Sequence, residues 1–211
     1  NQNNLLGRIT FDDVIDEIKS EADESLRQIS GIDSDTFEKT STAIKTRGFW
    51  LGTNLLTALI AASVINLFKE TLEQVIFLAV LMPIIASMGG VAATQTLTIT
   101  VRGLALGQIV RANYLYIFNR ELMVGVSNGF IWAVILSLIA CSWFQDWLLA
   151  WVICLSMIIN LVAGVLSGMG IPILLKGLKM DPAVAGSVIV TTVTDVIGFF
   201  SFLGLATYFY S

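Results

Sequence analysis

Histidine is absent from this 211-residue chain, cysteine occurs twice, proline three times, and charged residues make up only 13%. Each shortage excludes something. Without histidine, and with Cys141 and Cys154 both inside apolar runs, neither a Cys/His zinc site nor a disulfide framework is expected. No P-loop is present, and no nucleophile has a base to work with, so the chain is not expected to be an enzyme. The scarcity of charge, beside 55% hydrophobic residues, is incompatible with an ordinary soluble domain, in which about a quarter of residues are charged. A basic excess is missing too. The net charge of −4 argues against nucleic acid as a partner and favours cations.

What the chain does have is five long apolar runs, at about 49–68, 75–101, 122–144, 147–175 and 183–210. Each is long enough for a membrane crossing of about 20 residues. The runs are continuous rather than alternating, which fits helices and not barrel strands. The expected fold is therefore an all-α membrane protein with five transmembrane helices, embedded in a lipid bilayer. Lys45, Arg47, Arg102, Arg111, Arg120, Lys176 and Lys179 fall on one side of these spans and Lys69 alone on the other. Because Lys and Arg are retained in the cytoplasm, the N-terminus is expected inside and the C-terminus outside. Trp143, Trp147 and Trp151 around Asp146 suit an outer interfacial belt.

Ten of the sixteen acids precede Lys45. Leu5 to Ile9 reads as a short strand, Thr10 as the cap of a helix beginning at Phe11, and Glu17 to Ile29 as an amphipathic acidic helix. That helix is either simply solvated or contributes oxygen ligands, Glu21 and Glu24 among them, to a divalent cation. The chain opens on polar residues with neither Met nor a signal peptide, and is expected to be a piece of a longer protein cut at its N-terminus.

Three spans carry features that apolarity does not require. Gly125 and Gly129 in the third, and Gly164 and Gly168 in the fourth, have the spacing that lets helix backbones approach closely. The second holds Pro83, the pair Gly89 and Gly90, and a polar series from Thr94 to Thr100. This is either a structural kink or a helix broken beside an ion path, with freed carbonyls as ligands. In the fifth, Ser187, Thr191 and Asp195 recur every four residues, with Thr194 and Gly198 beside them. A carboxylate at mid-membrane depth costs several kcal/mol unless it faces a polar path, a partner or an ion. With no Lys or Arg inside any span to neutralise it, Asp195 either carries a proton or faces a cation.

The stretches PIIASMGGVAATQTLTITVRGLALGQI, from Pro83, and DPAVAGSVIVTTVTDVIGFFSFLGLA, from Asp181, resemble the MgtE family of magnesium channels and transporters. GRITFDDVIDEIKSEADESLRQISGI, from Gly7, resembles the tail of that family's second CBS domain running into its plug helix. The resemblance implies three regions: residues 1–18 as the end of a cytosolic CBS-like domain, 19–46 as an acidic connecting helix and linker, and 47–211 as the pore domain. The cytosolic N domain and most of the CBS pair would be absent, and with them the family's Mg²⁺-sensing closure. It further implies a homodimer in the cell inner membrane, with a central pore lined mainly by the second and fifth helices. Asp195 would hold a largely hydrated Mg²⁺, or Mn²⁺, Co²⁺ or Ca²⁺ at the same site. Asp181 would share cations at the cytoplasmic mouth with Glu21 and Glu24. Ser187, Thr191, Thr194, Gly198, Gly89, Gly90 and Thr94 would border the path. Where the family usually has Asn after the glycine pair, this chain has Val91. Passive Mg²⁺ uptake is the expected function, since a potential negative inside contributes roughly 4.6 kcal/mol per 100 mV for a double charge. Exchange of the divalent ion for Na⁺ or H⁺ is the alternative.

Overall fold

A computed structural model describes residues 8, 10–17, 39–179 and 186–210. Residues 11–17 are helical (α1) and begin at a reciprocal cap. The Asp13 amide faces the Thr10 hydroxyl, while the Thr10 amide and hydroxyl both donate to the Asp13 carboxylate, at 2.7 and 2.6 Å. Those two donors hold the Asp13 carboxyl below its usual range. The expected strand at 5–9 and the acidic helix beyond residue 17 lie outside the described residues.

The remaining elements are α2 (Thr40–Leu67), α3 (Lys69–Gln74), α4 (Phe77–Ala105), α5 (Tyr114–Phe144), α6 (Trp147–Gly177) and α7 (Gly186–Tyr210). All but α3 are long and apolar enough to cross a membrane, so the five expected spans are five helices. Two start well before their apolar runs do. The helix of the first span begins at Thr40, and that of the third at Tyr114, because backbone hydrogen bonding propagates through polar residues that hydropathy alone assigns to loops.

At the centre stands α6, packed against α4, α5 and α7. Small residues make this possible. A Cβ on Gly125 of α5 would lie 2.5 Å from the Val165 side chain, and Gly129 meets Leu161 and Ile158. On the other flank Gly164 and Gly168 press on α4, where added Cβ atoms would fall 2.8 Å from the Gly89 carbonyl and 2.5 Å from that of Ala93. The glycine spacing read from the sequence thus marks two seams, α5 on α6 and α6 on α4. Helix α2 is different: it rests on α7, and Ala61 is its one buried residue.

Ties at the helix ends fix the register. Gly107, with φ of 64°, ends α4 in a left-handed turn, and Lys176 donates to the Leu104 carbonyl at 3.1 Å. At the opposite end Asp146 caps α6, accepting from the Leu148 and Leu149 amides at 2.8 and 3.1 Å, and also accepts from the Tyr210 hydroxyl of α7. Burial pushes the Asp146 carboxyl up, but Tyr210 and the two amides outweigh it and leave it below the usual carboxylate range. Thr207 and Thr71 meet at 2.7 Å, fastening α7 to α3.

Candidate functional site

Helix α4 has two unlike faces. Leu81, Ile85, Gly89, Ala93 and Leu97 turn inward and are buried. Ser87, Val91, Thr94, Gln95 and Thr98 turn outward, away from the chain's own bundle, and are exposed. Turned to lipid, the Ser87 hydroxyl and the Gln95 amide would be left unsatisfied in hydrocarbon. That face is therefore suited to water or to another protein surface. It borders an open groove of about 730 Å³ that also takes in Gly90 and Thr191 of α7.

On α7 the buried line is Gly186, Val190, Thr194, Gly198, Phe202 and Ala206. The stripe Ser187, Thr191, Asp195 runs one position along from it, at the edge of the packed surface. Asp195 is half-buried and has no hydrogen-bond or ion-pair partner among the described residues. It sits one turn beyond Thr191 and does not itself border the groove. The hydroxyls nearby are committed: Thr94 donates to the Gly90 carbonyl, Thr98 to that of Thr94 and Thr191 to that of Ser187, at 2.8, 2.8 and 2.9 Å. Each hydroxyl oxygen keeps lone pairs that can accept from water. An outward wall of acceptors near an open carboxylate suits a cation that keeps its waters.

Of the residues singled out in the sequence, Ser187, Thr191, Gly90 and Thr94 fall on or beside the outward face. Thr194 and Gly198 lie in the packed seam instead, and Thr194 bonds the Val190 and Thr191 carbonyls of its own helix. Asp181, Glu21 and Glu24 lie outside the described residues. The glycine pair needs correction as a break: α4 is continuous from Phe77 to Ala105, with Pro83 near its start, so no carbonyl is freed at Gly89 and Gly90. The reason is Asn160 of α6. Its Nδ2 donates to the Ile85 carbonyl at 2.8 Å, and a Cβ on Gly89 would lie 2.6 Å from its Cγ. A Cβ on Gly198 would lie 2.7 Å from its Nδ2. Gly89 and Gly198 thus admit the amide between α4 and α7.

Two polar residues escaped the sequence reading. Asn160 is fully buried, and its four-residue register with Gly164 and Gly168 was the available signal. Glu121, just ahead of the apolar run at about 122–144, is inside α5 and 5% exposed, so Asp195 is not alone as an acid within a spanning helix. It shares the register of Gly125 and Gly129.

A model of the MgtE family, described as divalent cation transporter, matches residues 82–205. Curated relatives include the magnesium transporter MgtE of Bacillus subtilis, 34% identical over 98% of this chain, and that of Enterococcus faecalis, 30% identical over 97%. The magnesium transporter MgtE of Thermus thermophilus is 29% identical over 96%. The chain spans 46% of the length of each of these relatives. With a family match across more than half its residues, containing both the groove and Asp195, this chain belongs to the MgtE family.

Proposed function

We propose that this chain is the membrane part of a divalent-cation pathway that takes up Mg²⁺ passively in the cell inner membrane. Two copies would face each other across the outward surfaces of α4 and α7, with Asp195 of each as the ion-binding carboxylate. The N-terminus would be cytoplasmic and the C-terminus outside, with residues 1–18 and 19–46 as the cytosolic tail and connecting helix. The observation that carries the reading is the polar outward face of α4, with a half-buried carboxylate one turn beyond Thr191 on α7 that no group among the described residues neutralises. The relatives' names, magnesium transporter, agree with it.

Mg²⁺ gives up its waters reluctantly and prefers six oxygens in octahedral geometry. A path that holds the hydrated ion by its outer waters avoids that cost. Carboxylates supply the charge, and the oxygens of Thr94, Thr98 and Thr191 accept from the ion's shell. Selection then rests on charge density and hydrated size. Val91 brings no amide to this surface, whereas Gln95, one turn on, does, beside the hydroxyls.

The test is Mg²⁺ flux into proteoliposomes with Asp195→Ala. Flux is expected to vanish while insertion and dimerisation persist; unchanged flux would remove Asp195 from the mechanism. The wild type is expected to conduct without an imposed Na⁺ or H⁺ gradient, and flux only under such a gradient would establish exchange instead.

A further inference from the structure

The groove and Asp195 leave Glu121 without a role. Glu121 lines a second cleft, of about 240 Å³, between α4, α5 and α6. Gln95 and Thr96 of α4 and Asn128 of α5, each with a side-chain oxygen, line the same cleft. Asn128 spends its amide on the Val124 carbonyl, at 3.1 Å, which leaves its carbonyl oxygen as an acceptor. Among the described residues the cationic group beside Glu121 is the Arg120 guanidinium at 3.9 Å, beyond hydrogen-bonding reach. It belongs to the adjacent residue on the helix, and its side chain is 64% exposed. Among the described residues the Glu121 carboxylate accepts no hydrogen bond. A nearly buried acidic residue thus lines a cleft with room for an ion and several waters, each about 30 Å³.

The charge of the cleft sets the class of ligand. The available ligands are hard oxygens, and the single carboxyl among them brings at most one negative charge, with the Arg120 guanidinium beside it. A divalent ion would leave a net positive charge in a poorly solvated space, whereas one carboxylate neutralises a monovalent ion. Val91, Gln95 and Ile99 border both this cleft and the outward groove, so one layer of α4 side chains separates the two.

We propose that Glu121, Gln95, Thr96 and Asn128 form a second cation site, for a sodium-sized monovalent ion, beside the outward groove. The site goes beyond the conduction reading and does not depend on Asp195. Trp132 lines the cleft and reports on it.

The test uses the full purified chain, with NaCl titrated against choline chloride at constant ionic strength and pH. Both tryptophan emission and the thermal unfolding midpoint are read. Sodium alone is expected to shift both, with Trp132→Phe removing the emission change and keeping the thermal one. Glu121→Gln should abolish both responses, and Asp195→Asn should leave both intact, so this site and the Asp195 path can fail separately. Should Glu121→Gln not fold, Asn128→Ala decides, with an expected rise of about tenfold in half-saturating sodium for one lost ligand contact. Equal responses to sodium and choline, a sodium response retained in Glu121→Gln, half-saturation unchanged in Asn128→Ala, or a response obtained more readily with MgCl₂ would each overturn the proposal.

Discussion

Asn160 and Asp195 are both polar side chains in the interior of apolar helices, and the structure treats them oppositely. Asn160 is sealed between α4 and α7, neutral, with its amide on the Ile85 carbonyl and two glycines making room for it. Asp195 is charged when ionised, half-buried, and without a partner among the described residues. A group that only holds helices together is neutral and enclosed, whereas a group kept for an ion sits at the edge of the packing. What distinguishes the two is the space each is given.

Exchanging their characters should have the largest effect. Asn160→Asp places an unpaired carboxylate in the sealed seam and is expected to cost about 3–5 kcal/mol of stability, read as a collapse of the thermal midpoint. It should not restore flux to an Asp195→Asn chain, because the seam does not open on the groove. Next, Asp195→Asn should lower Mg²⁺ flux about a hundredfold, near 2.7 kcal/mol, while the thermal midpoint holds or rises as an uncompensated charge is removed. Flux near wild type would erase the contrast between the two residues. Third, Gly89→Ala should destabilise by about 2 kcal/mol as its methyl meets the Asn160 amide, and Asn160→Ala in the same chain should recover part of that loss. Additive losses would show that the glycine serves something else.

The smallest effect lies outside the membrane. Tyr210→Phe removes one donor to Asp146 and should cost about 1.5 kcal/mol at neutral pH. The Asp146 carboxyl is depressed in the folded chain, so its contribution is complete above its unfolded value and is lost as pH falls through the folded one. The gap between wild type and Tyr210→Phe should therefore close below about pH 4. A gap independent of pH would place the stabilisation elsewhere.

The spans, the glycine seams and the Ser187, Thr191, Asp195 stripe could be read from the sequence, because each rests on periodicity or on the cost of charge in hydrocarbon. The purpose of Gly89 could not. A glycine that frees a backbone and one that admits a neighbour's side chain look alike until the neighbour is known, and Asn160 is about seventy residues away in the chain. Glu121 was obscured by Arg120, since a pair of charges beside an apolar run resembles a loop. Its four-residue spacing to Gly125, Gly129 and Ala133 places it on the buried side of α5.

Threonine on α4 and α7 turns its hydroxyl hydrogen into its own helix. Water lying against such a surface is polarised, its hydrogens drawn to the wall and its oxygens turned away from it. That is the orientation of solvent around a positive ion and the reverse of its orientation around chloride. Anion rejection would then begin in bonds internal to a single helix, before any carboxylate is reached.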